Sequence, residues 1–151
     1  MRYADIKPND INNGEGLVVS LWVTGCPIRC RGCHNESVWD ENTGELFTDK
    51  ELNQIIKELS DTRIDKGFSI LGGEPLAPYN YPTVEKVVKH VRDLFPNKQI
   101  WLWTGYEYNQ IKDLEIMKYL NVVITGRYVD TLKDNETWWR GSSNQTKIVL
   151  K

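Results

Sequence analysis

Residues 16–33 read GLVVSLWVTGCPIRCRGC, and the fold turns on how this stretch is read. Gly16 to Val23 is an apolar, valine-rich run preceded by the turn-forming NNGEG, which predicts a buried strand. The strand stops at Thr24-Gly25, and cysteines follow at 26, 30 and 33. The arrangement recurs along the chain. GFSIL (67–71) predicts a second strand and runs directly into Gly72-Gly73-Glu74-Pro75. QIWLWT (99–104) predicts a third strand, ended by Gly105, and NVVIT (121–125) a fourth, ended by Gly126. Helical patterns lie between them. Thr48 and Glu51 form a capping box, after which Leu52, Ile55, Ile56 and Leu59 share one helix face. Pro82 suits the first turn of a second helix; Val84, Val87, Val88 and Val91 make its apolar stripe, and Pro96-Asn97 stop it. A third helix is predicted from a cap at Asn109, bearing Ile111, Leu114 and Met117. TKIVLK (146–151) can add a last strand, and residues 127–145 show no clear period.

Strands alternating with helices predict an α/β fold with a sheet of mainly parallel strands and right-handed crossovers. In such folds the strand C-termini lie at one end, where chemistry collects. The cysteine loop, GGEP, TGY and TGR therefore converge in space. A complete eightfold barrel takes about 250 residues, and this chain has 151. The predicted architecture is an incomplete TIM-like barrel, open at the side, in a single domain over residues 1–151.

Composition sets the boundaries. Hydrophobic residues make 40% and charged residues 26%, with a net charge of −2, the profile of a globular domain. Lys and Arg form no basic block, so no nucleic-acid partner is expected. No apolar run approaches the ~20 residues of a membrane span, and MRYADIKPND lacks the apolar core of a signal peptide. Free cysteines without an export signal point to the reducing cytoplasm.

All three cysteines fall within eight residues, spaced C-x3-C-x2-C. Thiolates select zinc, Cu(I) or iron–sulfur clusters. An ordinary cubane takes four cysteines; three leave one iron open to a substrate or cofactor. A structural zinc with His34 as fourth ligand matches in composition, but Cys33 and His34 are sequence neighbours, which rarely reach one tetrahedral ion. His90, beside Lys89 in the second helix, reads as surface. GGEP alone would be an ordinary turn, but it stands at a strand end level with the cysteines. Its glycines allow close backbone approach to a ligand, and the Glu74 carboxylate with nearby carbonyls suits an ammonium group. Trp22, Trp101 and Trp103 sit in apolar runs and read as core or site wall.

Together, Cys26-x3-Cys30-x2-Cys33 and Gly72-Gly73-Glu74-Pro75 resemble the radical S-adenosylmethionine (SAM) superfamily. Within it the chain is similar to the anaerobic ribonucleoside-triphosphate reductase activators. That similarity runs almost end to end, through NGEG, TGC, GCHNESVW, GGEPL, WLWTGY and WRGSSNQ. The resemblance implies that Cys26, Cys30 and Cys33 hold a [4Fe–4S] cluster whose open iron chelates the amino and carboxylate groups of SAM. One electron from a donor protein would then cleave SAM to methionine and a 5′-deoxyadenosyl radical. That radical would remove a hydrogen from a glycine Cα of the partner, the large subunit of the reductase. It further implies SAM contacts from Gly72, Gly73 and Glu74; the adenine contact is our own reading, assigned to the backbone at Gly32, Cys33 and His34. Two departures stand out. Most of the superfamily has an aromatic residue where this chain has Gly32, although the activators also have glycine. The activators commonly read Asp-Gly-Lys/Arg-aromatic after the fourth strand, and here Thr125 replaces the aspartate.

Two other readings compete. A small-molecule radical SAM enzyme, such as a deazapurine-forming synthase, would share the cysteine and GGEP motifs only. A metal-binding interaction module would need no catalysis. The segment WWRGSSNQ (138–145) either pads the open barrel or receives the partner. Trp and Arg dominate binding hot spots, which makes Trp138, Trp139 and Arg140 the docking candidates.

Overall fold

The computed structural model describes residues 1–151. One seven-stranded sheet runs through the chain: β1 (Arg2–Asp10), β2 (Val18–Val23), β3 (Glu45–Leu46), β4 (Gly67–Gly72), β5 (Ile100–Trp103), β6 (Val122–Thr125) and β7 (Thr146–Val149). Their order is β3-β1-β2-β4-β5-β6-β7. The four motif-bearing strands, β2, β4, β5 and β6, are parallel neighbours at the centre. The sheet as a whole is mixed, because β1, β3 and β7 pair antiparallel at its flanks. Its ends, β3 and β7, are not paired to each other, so it is open.

Side chains alternate across the central strands, as pleating requires. Val19, Leu21 and Val23, Phe68 and Ile70, Ile100 and Leu102, and Val123 enter the main core. Helices α1 (Asp49–Leu59) and α2 (Tyr81–Leu94) both pack on that face, through Leu52, Ile55 and Leu59 and through Val84, Val87, Val88 and Val91. The other face carries Ser20, Ser69 and Trp101 in one register row and Trp22 and Leu71 in the next. With both helices on the first face, the second is left for a cavity.

The capping box of α1 forms as predicted: the Thr48 N–H donates to Glu51 Oε2 at 2.7 Å, and Thr48 Oγ1 accepts from the Lys50 N–H. The third helix differs from expectation. Its cap is Glu107, not Asn109, with a box closed by Gln110, and α3 lasts only from Tyr108 to Ile111. Leu114 is extended (ψ 141°), and Ile116 and Met117 fall in a separate 3₁₀ turn, Glu115–Lys118. Strand β1 carries no clear apolar alternation. Ile6 and Asp10 are its buried residues, and the register shifts between Lys7 and Asp10, around Pro8, where a ladder tolerates proline. No helix is long and apolar enough to cross a membrane.

Candidate active site

The cysteine loop begins where β2 ends, and backbone bonds pin it. The Gly25 N–H donates to Val38 O at 2.6 Å and the Cys26 N–H to Trp39 O at 2.9 Å. Gly25 is left-handed (φ 88°), and a Cβ there would lie 2.5 Å from the Tyr79 ring. Arg29 also has positive φ, 55°, uncommon outside glycine. Its guanidinium donates to Trp39 O and lies 5.5 Å from the centre of the Trp39 ring.

The GGEP turn is stitched to this loop. The Gly73 N–H donates to Val23 O and the Glu74 N–H to Gly25 O, both at 2.8 Å. A Cβ on Gly73 would lie 2.5 Å from Gly25 O, so the close approach expected at this glycine is made to the cysteine-loop backbone. Asn35 Nδ2 donates to Gly72 O at 3.0 Å. Asn80, fully buried, donates to both Thr24 O and Glu74 O. Glu74 is 1% exposed. Its Oε1 accepts from the Gly105 N–H at 2.6 Å, and its Oε2 accepts from the Leu76 N–H and Thr104 Oγ1, each at 2.8 Å. One carboxylate thus ties the end of β4 to the end of β5. Burial pushes its pKa up to about 7 against the pull of those three donors.

These elements enclose a cavity of about 330 Å³, within the range of small-molecule sites. Cys26, Cys30 and Cys33 all line it, as do His34, Gly72, Gly73 and Glu74. Trp22 and Trp103 form its walls from the strands. Trp138, Trp139 and Arg140 close it from the C-terminal segment. Gly32 is not part of the lining. It is left-handed (φ 75°) and faces Asp130, whose Oδ1 would sit 2.8 Å from an added Cβ. The His34 ring lies 5.6 Å from that of Tyr128, whose hydroxyl donates to Asp130. Thr125 is buried in β6 opposite Thr146.

The three docking candidates part company. Trp138 is 53% exposed and stacks on Trp101 at 5.6 Å. The Trp139 carbonyl accepts from Trp103 Nε1 at 2.7 Å. Arg140 is turned inward, paired with Asp134 at 2.9 Å and donating to Ser143 O and Gln145 O. Gln145 closes the segment, accepting from the Gly141 and Ser142 N–H groups and donating to Gly126 O. Asn35, Asn80 and Thr104 were not singled out from sequence. Thr104 directly follows β5, a position that could have marked it, whereas Asn35 and Asn80 lie 12 and 8 residues beyond the ends of β2 and β4 and carry no local signal.

The donor set fits an iron–sulfur cluster. All three thiols are free and partly exposed around one cavity. No three His, Cys, Asp or Glu side chains are grouped to hold one metal ion, whereas a cluster takes each thiolate on a different iron. One backbone N–H already points at sulfur, that of Asn35 on Cys33 at 3.4 Å. Burial raises the Cys26 pKa against the pull of the Arg29 and Ile28 amides, and a cationic iron centre would supply charge that favours the thiolate.

Comparisons with known proteins agree. The family model described as a 4Fe-4S single cluster domain matches residues 12–148. Three relatives carry the name anaerobic ribonucleoside-triphosphate reductase-activating protein. That of Escherichia coli (strain K12) is 43% identical over 154 aligned positions, covering all of both chains. That of Enterobacteria phage T4 is 43% identical, covering 96% of this chain and 92% of its own. That of Haemophilus influenzae is 39% identical, covering 96% of each.

Proposed function

This chain belongs to the family of anaerobic ribonucleoside-triphosphate reductase-activating proteins, and from that premise we propose that it activates such a reductase as a radical SAM oxidoreductase. A [4Fe–4S] cluster held in the cavity would supply one-electron cleavage of SAM, the chemistry by which a hydrogen atom would be taken from a glycine of the reductase large subunit. One observation carries the reading: Cys26, Cys30 and Cys33 share a single cavity with Gly72, Gly73 and Glu74 at the C-terminal ends of parallel strands.

The residues divide the work. Cys26, Cys30 and Cys33 hold three irons. Glu74 has three of about four acceptor positions filled, which leaves one for the methionine ammonium while the others hold the turn rigid. Gly72 and Gly73 offer backbone beside it. Cys33 and His34 line the cavity for the adenine, with Trp22 and Trp103 as further aromatic surface; Gly32, behind them, shapes the loop. We read the open sheet as an incomplete TIM-like barrel in one domain, supported by its four parallel central strands and the helices confined to one face. The opening at its side admits the reductase glycine loop past Trp138. Free thiols support work in the reducing cytoplasm, where a one-electron donor protein supplies the reductant. The full-length likeness to activators favours this reading over a small-molecule enzyme or a non-catalytic metal module.

Anaerobic reconstitution with iron and sulfide, followed by SAM and a reductant, tests the proposal. The expected product is 5′-deoxyadenosine in step with methionine. Zinc without sulfide in protein purified anaerobically, and no SAM cleavage after reconstitution, would overturn it.

A further inference from the structure

We infer that the outer side of the cysteine loop is the docking surface for an acidic one-electron carrier protein, and that its electron enters at Cys30. The inference rests on the proposed function and adds the place where the reductant binds. Cys30 borders two cavities. The inner one is the site just described. The outer one, of about 440 Å³, is lined by Arg29, Arg31 and Arg127 together with Cys30. Cys26 and Cys33 line the inner cavity but not the outer one.

Charge makes the outer cavity unusual. The chain has 21 acidic against 19 basic residues, yet three exposed arginines meet here around a thiol. One carboxylate, Asp130, shares the lining, and it already accepts from the Tyr128 hydroxyl. Arg29 and Arg127 each reach a backbone carbonyl, Trp39 O and Ile28 O, both at 3.4 Å. Arg31 has no partner within the chain. Three guanidinium groups against one carboxylate leave the rim net positive and turned to solvent, the condition under which complementary charge steers association.

Traffic gives the rim its purpose. During turnover the inner cavity is filled by SAM and by the reductase loop, so the reductant must approach from elsewhere. Cys30 is the thiol open to both sides. The step moves one electron from the reduced carrier, which is oxidised by one, to the centre held by the three cysteines, which is reduced by one. No bond forms or breaks at this point and no proton is needed.

The test uses the reconstituted protein and Arg31→Glu. The probes are a photoreduced plant-type ferredoxin, an acidic carrier, and the methyl viologen radical cation as a small reductant of opposite charge. Stopped-flow absorbance gives the rate of cluster reduction, and calorimetry gives ferredoxin affinity with and without the cluster. Arg31→Glu should slow reduction by ferredoxin about tenfold at low salt and weaken binding in the cluster-free protein by a similar factor. Both differences should shrink in about 0.5 M salt, and the viologen rate should be unchanged or higher. Equal ferredoxin rates and affinities in the two proteins, no ferredoxin binding by the native protein, or a matching loss of the viologen rate would each overturn the docking surface. Failure of the viologen-reduced native protein to cleave SAM is a separate result, and it would count against the proposed function instead.

Discussion

Glu74 concentrates the site's chemistry and its architecture in one side chain. Removing its carboxylate strands the Leu76 and Gly105 N–H groups and the Thr104 hydroxyl, each buried donor costing about 1–3 kcal/mol. Glu74→Ala should therefore lose about 3 kcal/mol or more in denaturant unfolding, and a loss below about 1 kcal/mol would contradict the bracing role. The cysteines act differently. Each is assigned its own iron and the chain has no fourth thiol, so Cys→Ala at 26, 30 or 33 should each abolish the intact cluster and SAM cleavage, read by iron content and product. Asp10 supplies a pH signature. Burial pushes its carboxyl up, but Asn13, Ser20 and the Asn12 N–H more than offset this and hold it below 3.8. A lowered folded pKa stabilises above the unfolded value and loses that stability as pH falls through the folded one. Asp10→Asn should be less stable than the native protein at neutral pH, and the gap in denaturant melts should close as pH falls below 3.8.

At the scale of elements, stability and site assembly separate. Thr48 caps α1 and lines neither cavity, so Thr48→Ala should cost about 1 kcal/mol with SAM cleavage per folded molecule unchanged. Gly73→Val belongs to the site. Its side chain meets Gly25 O, so iron content should fall together with SAM affinity, because the turn and the cysteine loop are one packed unit. Normal iron with weak SAM binding would instead confine Gly73 to ligand contact. The central strands, α1 and α2 were legible because their apolar periods are clean and Thr48, Glu51 and Pro82 punctuate them. Strand β1 was not, because RYADIKPND buries little beyond Ile6 and Asp10 and gains its place from pairing with β2. The third helix was misjudged because Ile111, Leu114 and Met117 keep helical spacing across a break at Leu114. In the site, the cysteines and GGEP were visible as motifs. The bonds from Asn35 to Gly72, Asn80 to Thr24 and Thr104 to Glu74 were not, since a hydrogen bond between residues 30 or more apart leaves no local pattern.

The whole molecule divides its sheet between two tasks, one face packed by helices and the other holding a cavity whose rim is partly tryptophan. The C-terminal segment belongs to both. Arg140 and Gln145 hold it in place, while Trp138 stands half in solvent at the cavity edge. Trp138→Ala should therefore impair transfer to the reductase while leaving uncoupled SAM cleavage nearly intact, and equal loss of both would place Trp138 in the SAM site. Arg140→Ala should loosen the segment itself, because its partners are Asp134 and backbone carbonyls of the same loop. The central claim is that this cavity makes a radical and delivers it to a glycine of a partner reductase. The direct measurement is electron paramagnetic resonance of an anaerobic ribonucleoside-triphosphate reductase mixed with the reconstituted protein, SAM and reductant. A glycine-centred doublet that appears with the native protein and not with Cys30→Ala is the result this account predicts. SAM cleavage at full rate with no radical on the reductase would contradict it.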